Sequence, residues 1–275
     1  MAARSPIRIG LALGGGFARG IAHAGVLKVF ERHHIPIHCI AGVSAGSIVA
    51  AAYASGASPD EIASAGCSMR FRDVGGWKPG RLGLVGNERM RRFLTRLLKT
   101  DQFEKMCIPL GVLATDLSTG APVAFSQTGS VLDPIRASCS YPGLFHPVRH
   151  QGQFLVDGAI SMEIPAALAR QLGATHVISV FLPAPEQRAQ PGNIFHVVNR
   201  CFQILQSRAE NNWRTDSDLV IAPDVGAVEW DGFGNGPQLI EAGKAAALAA
   251  LPQIQRWVSP APPATLPSFV LADAA

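Results

Sequence analysis

Charge is scarce in this chain. Asp, Glu, Lys and Arg make up only 16% of its 275 residues, against about a quarter in an average soluble domain. With alanine and glycine abundant and 48% of residues hydrophobic, that excludes a disordered chain and favours small-residue helices packed tightly on a sheet. Cysteine is equally uninformative as a framework. Cys39, Cys67, Cys107, Cys139 and Cys201 are odd in number and widely spaced, with neither a C-x-x-C pair nor a metal-ligand spacing, so reduced buried thiols and no metal are expected. No run approaches the roughly 18 uninterrupted apolar residues of a membrane span. The first ten residues hold Arg4 and Arg8 but no apolar stretch of signal-peptide length, so a soluble, cytoplasmic protein is expected. A net charge of +4 comes without an interleaved aromatic-basic or helix-turn-helix pattern, so no nucleic-acid partner is expected. The same charge suits mild attraction to an anionic membrane surface.

Hydrophobic periodicity supplies the elements. It predicts a buried strand over 7–13, a helix over 20–33, a second strand over 35–41 and a small-residue helix over 44–55. Such a β-α-β-α run implies parallel strands, right-handed crossovers and a ligand site at the strands' carboxyl ends. Beyond it, 75–86 reads as a glycine-rich loop and 88–99 as a strongly periodic helix. Strands follow over 109–115, 123–125, 154–156, 175–181 and 218–222, with helices over 131–138, 165–172, 194–212 and 237–251. Pro260, Pro262, Pro263 and Pro267 crowd the end of the chain, so residues 1–258 are expected as one domain and 259–275 as a proline-rich tail.

The chemistry starts at Gly42-Val43-Ser44-Ala45-Gly46. With 28 glycines in the chain, chance supplies a G-x-S-x-G about 0.2 times, so context must carry it. The pentapeptide lies between a strand and a helix, the setting of a nucleophile elbow, with Gly42 and Gly46 where a Cβ would collide with backbone. Ser44 could instead simply cap the helix. The glycines at 14 to 16, followed by Arg19 and Gly20, fill the turn after the first strand, where the loop's backbone N–H groups can point at an oxyanion beside Ser44. A glycine loop can also cradle a phosphate, but no Gly-Lys-Ser/Thr follows and no acid ends the second strand.

For the base, an α/β-hydrolase would use a late histidine. Too few strands precede Ser44 for that fold, and His23, His146, His176 and His196 occupy no suitable loop. Asp157, at a strand's end and followed by Gly158 and Ala159, is the better candidate. Desolvation beside Ser44 would raise its pKa towards usefulness. Asp116 and Asp231 are its competitors.

A glycine loop ending in Arg, G-x-S-x-G soon after, and a much later Asp-Gly-Ala together resemble the patatin-like phospholipase family, particularly its small bacterial members. The segments 113–120, 135–138, 141–145 and 155–159 are similar to it as well, and the likeness covers about residues 7–182. The resemblance implies an α/β fold, a three-layer α/β/α sandwich with a mostly parallel central sheet. It implies a Ser44–Asp157 dyad without histidine, metal or cofactor, cleaving lipid acyl esters as a phospholipase A, lysophospholipase or esterase through an acyl-serine. It implies that the backbone N–H groups of Gly15 and Gly16 receive the oxyanion, with that of Phe17 if its φ suits a bulky residue. Phe17 stands where many members have a further glycine, and Met162 and Glu163 where asparagines are frequent. An acyltransferase or thioesterase using the same serine, or a regulatory module retaining the site, remain alternatives. A histidine at Ser44 would favour a transferase. The helix over 88–99, with Met90, Phe93, Leu94, Leu97 and Leu98 on one face and five basic residues on the rest, could rest on an anionic bilayer or be an ordinary half-buried helix.

Overall fold

The computed structural model describes residues 6–183, 190 and 192–258. The tail expected over 259–275 lies outside the described residues. The chain opens with β1 (Ile9–Leu13), a 3₁₀ turn (Phe17–Ile21), α1 (Ala22–Arg32), β2 (Cys39–Val43), α2 (Ala45–Ala54), α3 (Pro59–Ser68) and the single turn α4 (Phe71–Val74). A hairpin follows, β3 (Gly76–Gly80) and β4 (Gly83–Gly86), then α5 (Glu88–Leu97), β5 (Leu110–Asp116), β6 (Pro122–Phe125) and α6 (Leu132–Ser138). The remainder is β7 (Val148–His150), β8 (Gln153–Asp157), α7 (Ala166–Gln171), β9 (His176–Val180), α8 (Ile194–Arg214), β10 (Leu219–Ile221) and α9 (Gly236–Val258).

Strands β10, β9, β1, β2 and β5 lie side by side, each parallel to the next. Their side chains alternate between two helical layers, as the pleat requires. Ile9, Leu11 and Leu13 join the core shared with α1, α2, α3 and α9, whereas Ala12, Cys39 and Ala41 meet Ala166, Leu168 and Ala169 of α7 and Trp213 of α8. The result is the expected α/β fold in three layers. The helices approach closely because small residues line the contacts. A Cβ at Gly10 would stand 2.5 Å from that of Ala174, and one at Gly25 of α1 would stand 2.1 Å from the Ile240 carbonyl oxygen of α9.

The structure departs from the expected elements in several places, among them the short strand β7, the single turn α4 and the extension of α9 to Val258. The second strand is displaced to Cys39–Val43, because residues 35–38 precede its pairing with β1. The segment 59–68 is a helix that apolar periodicity alone did not mark, set by a capping box in which Ser58 and Glu61 bond each other's backbone N–H, with Pro59 at the first helical position. The glycine-rich stretch 75–86 is an antiparallel hairpin, whose first strand is mostly exposed and whose second alternates only across Gly83, Leu84 and Val85, too short a span to give a strand period.

Candidate active site

The topology around β5 brings the two candidate residues together. Strand β2 pairs in parallel with Leu110 to Leu113 of β5, and β8 pairs antiparallel with Ala114 to Asp116. Strand β6 pairs with Val112 to Thr115, so it overlaps both and must occupy the opposite edge of β5. Strands β2 and β8 therefore share one edge, end facing end, and their carboxyl termini converge where β5 passes from Leu113 to Ala114. The residue after β2 is Ser44 and the last of β8 is Asp157.

Ser44 has φ 52° and ψ −129°, in the half of the backbone map that L-residues avoid, at a cost of about 1–3 kcal/mol. The surroundings enforce it. A Cβ at Gly42 would lie 2.5 Å from the Gly46 carbonyl oxygen, and one at Gly46 would lie 2.4 Å from that of Leu13, so neither flank tolerates a side chain. Ser138 Oγ accepts the Ser44 N–H at 2.8 Å, while Ser47 Oγ donates to the Ser44 carbonyl at 2.6 Å. The strained turn is thus tied down on both sides of the residue, and α2 begins immediately after it.

Ser44 Oγ donates to Asp157 Oδ2 at 2.7 Å, and the other carboxylate oxygen accepts the Ala159 N–H at 3.0 Å. Asp157 is only 2% exposed. Burial lifts its carboxyl from the ordinary aspartate range to about 7, opposed by the hydrogen bonds from Ala159 and Ser44. Its backbone is held too, by its N–H to the Ser140 carbonyl at 3.0 Å and by Thr115 Oγ1 donating to its carbonyl at 2.9 Å. Gly158 must lack a side chain, since a Cβ there would stand 2.2 Å from the Leu113 carbonyl oxygen.

The glycine loop lies against the serine. A Cβ at Gly15 would fall 3.1 Å from Ser44 Cβ and 3.8 Å from Ser44 Oγ. The loop is pinned by Gly14 N–H to the Val180 carbonyl and by the fully buried His23, whose Nε2 meets the Gly14 carbonyl at 2.9 Å. Burial lowers the His23 pKa to about 4, so it is neutral near pH 7 and donates through Nε2–H. Among the described residues, the backbone N–H groups of Gly15, Gly16 and Phe17 have no acceptor. Phe17 adopts φ 50°, a positive value that bulky L-residues seldom take. Its ring turns aside to pack on Tyr141 and Trp230, with centroids 5.0 and 5.3 Å away. Gly20 lets α2 approach, its absent Cβ falling 2.6 Å from that of Ala45. Arg19 is 6% exposed and donates to the Pro183 carbonyl at 2.7 Å. Burial lowers its pKa, against the opposing charges of Glu229 and Glu163.

Two cavities of different character meet at Ser44. One, of about 60 Å³, is polar, with Arg19, Asp157, Glu163, Asn199, Gln203 and Gln206 in its wall. The other, of about 50 Å³, is lined by Met69, Phe71, Val74, Met90, Phe145 and further apolar side chains. Phe17 lines both. Glu163 accepts Trp213 Nε1–H at 3.3 Å, and burial first of all raises its pKa to about 7.

The rival candidates fall elsewhere. Asp116 accepts from Ser118 N–H and Thr119 Oγ1 in a strand-end turn, at 3.0 Å each, and Asp231 is exposed. His146 meets the Lys78 carbonyl, His176 packs near Trp257, and His196 sits at the start of α8. Among the described residues no histidine bonds Ser44. Ser138, Ser140, Thr115 and Asn87 escaped the sequence reading as supports. Asn87 receives Arg136 Nη2–H at 2.8 Å and donates to Ser140 Oγ at 2.9 Å. Their sidedness depends on the fold, although Thr115 and Ser138 fell inside segments already singled out and Ser140 beside one.

Comparison with known proteins gives one consistent grouping. The profile of the family described as patatin-like phospholipase matches residues 11–170, more than half of the chain. Lysophospholipase NTE1 of Coccidioides immitis is 31% identical over 193 residues, covering 67% of this chain but 12% of that protein. An uncharacterized NTE family protein of Mycobacterium tuberculosis is 29% identical over 246 residues, covering 84% of this chain and 68% of that protein. The chain therefore spans only about an eighth of the curated lysophospholipases that it matches. Among solved structures, VipD from Legionella pneumophila superposes with a TM-score of 0.56 over 90% of this chain and 67% of that one, at 14% identity, which is a likeness of fold.

Proposed function

The chain belongs to the patatin-like phospholipase family, and from that premise we propose that it is a serine acyl-hydrolase of lipid esters, with Ser44 as nucleophile and Asp157 as base. The observation that carries the reading is the 2.7 Å hydrogen bond from Ser44 Oγ to a buried carboxylate whose pKa is lifted to about 7. An ordinary aspartate is too weak a base for a serine hydroxyl, whereas a desolvated one near neutrality gains proton affinity.

In this mechanism Ser44 Oγ attacks the ester carbonyl as its proton passes to Asp157 Oδ2. The carbonyl oxygen, now an oxyanion, takes the N–H groups of Gly15, Gly16 and Phe17, for which no protein acceptor among the described residues competes. Each such donor is worth about 3 kcal/mol to the transition state. Asp157 returns the proton to the leaving alcohol. Water then attacks the acyl-serine as Asp157 accepts its proton, and the acyl–Oγ bond breaks to release the fatty acid as Asp157 gives that proton back to Ser44 Oγ. In character, the apolar cavity suits the part of the acyl chain next to the ester and the polar one the alcohol portion. The names of the NTE relatives add support for a lysophospholipid substrate. A histidine-assisted transferase gains no support from the geometry, since no described histidine bonds Ser44.

The test is labelling with a fluorophosphonate probe, followed by hydrolysis of phospholipid, lysophospholipid and p-nitrophenyl esters. Wild type should label and turn over, Ser44→Ala should do neither, and Asp157→Asn should lose at least about 10³-fold in kcat/KM. An inert wild type would sink the hydrolase reading, and full activity in Asp157→Asn would sink the dyad.

A further inference from the structure

Helix α5 turns its apolar face inward. Met90 and Leu94 are buried and Phe93 and Leu97 pack against the core, so that face is not free to enter a bilayer. The arginines are thereby turned outward. Arg72, Arg89, Arg91, Arg92 and Arg96, with Asp73 as the sole acid, line an open groove of about 700 Å³. Arg91 has Asp133 at 3.6 Å. Among the described residues no carboxylate lies within 4 Å of the other four guanidiniums. So dense a cluster of one sign, in a chain with so few charges, marks a surface built for anions.

The apolar component comes from the neighbouring hairpin. Trp77, Leu82 and Leu84 are 76%, 57% and 45% exposed, and Lys78 and Arg81 lie among them in the sequence. The hairpin and the groove adjoin, because a Cβ on Gly76 would stand 3.1 Å from Arg89 Nε. The hairpin also leads to the candidate site. Leu84 and Val85 donate their N–H groups to the Leu144 carbonyl at 3.0 and 2.9 Å. The next residue, Phe145, helps line the apolar cavity that reaches Ser44.

We propose that the β3–β4 hairpin and the arginine groove of α5 form one docking surface for an anionic lipid bilayer. For what happens to the docked lipid this rests on the acyl-hydrolase reading; the docking itself does not. The guanidiniums take the phosphates of the surface, Trp77 sits at the interface and Leu82 and Leu84 enter the acyl region. A nucleic acid would satisfy the arginines but offers Leu82 and Leu84 no apolar phase.

The experiment is sedimentation of the full chain with vesicles of phosphatidylcholine alone, or with about 30% phosphatidylglycerol, at low and high salt. Wild type should bind the anionic vesicles and release as salt rises. Trp77→Ala with Leu82→Ser should weaken that binding about tenfold, and Arg92→Glu with Arg96→Glu should remove the preference for phosphatidylglycerol. Neither pair should change hydrolysis of a soluble p-nitrophenyl ester by more than about twofold, since neither touches the Ser44 site. Trp77→Phe should keep binding while abolishing the vesicle-induced blue shift of tryptophan fluorescence. Equal binding by either pair and wild type, indifference to lipid charge, stronger binding to single-stranded DNA than to vesicles, or loss of soluble-ester hydrolysis along with docking would each overturn the proposal. Ser44→Ala should dock like wild type. A protein that docks but cleaves nothing would end the hydrolase reading and leave the docking surface intact.

Discussion

Asp157 ties activity and stability to the same proton with opposite signs. Its folded pKa is raised to about 7 by burial, so its contribution to stability is complete below the ordinary aspartate pKa of about 4 and is lost as pH rises through 7. Activity needs the ionised form and should rise through the same range. Asp157→Asn should therefore be inactive and yet melt at a higher temperature than wild type at pH 8, by about 1–3 kcal/mol in stability, with the difference shrinking at pH 5. Calorimetry at the two pH values checks it; a variant less stable than wild type at pH 8 would refute the desolvated-base account. Glu163 has its own pKa raised to about 7, so Glu163→Gln serves as the control that should keep the alkaline rise in kcat. At the same scale, Phe17 holds a φ of 50° that a glycine would take more easily, and its ring is absorbed by Tyr141 and Trp230.

Among the elements, the α1–α9 crossing shows why the chain is so rich in glycine and alanine. A Cβ on Gly25 would meet the Ile240 carbonyl oxygen at 2.1 Å, and one on Gly243 would meet that of Ala22 at 2.0 Å. Helix backbones are in direct contact there, and backbone cannot yield as a side chain tip can. Gly25→Ala should lower stability by about 2–4 kcal/mol, visible as a fall in Tm of roughly 4–16 °C. Gly234→Ala, with nothing within 4 Å of the new Cβ, should stay within about 0.5 kcal/mol of wild type. Equal melting of the two variants would contradict the close crossing. The elements the sequence predicted best were those with a full apolar period, such as α1 and α5. The hairpin at 76–86 was missed because its first strand is mostly exposed and the alternation in its second spans only Gly83, Leu84 and Val85.

For the whole molecule, the last described helix contributes buried residues up to Ile254. We expect a chain ended at residue 258 to keep its fold and its soluble-ester activity within about twofold, measured by thermal melting and p-nitrophenyl ester turnover. A collapse of either would place residues 259–275 inside the working unit.

What the amino-acid sequence determined alone was local: a strand followed by Gly42 to Gly46, a glycine loop after the first strand, and Asp157-Gly158 at the end of a later strand. Those positions follow from steric limits and hydrophobic periods that act within a few residues. What only the tertiary structure decided was their meeting. Ser44 and Asp157 are 113 residues apart, and they touch because β2 and β8 reach the same edge of β5 from opposite directions. The base strength of Asp157 likewise depends on burial by chain that is remote in sequence, since desolvation is a property of the surroundings and not of the residue.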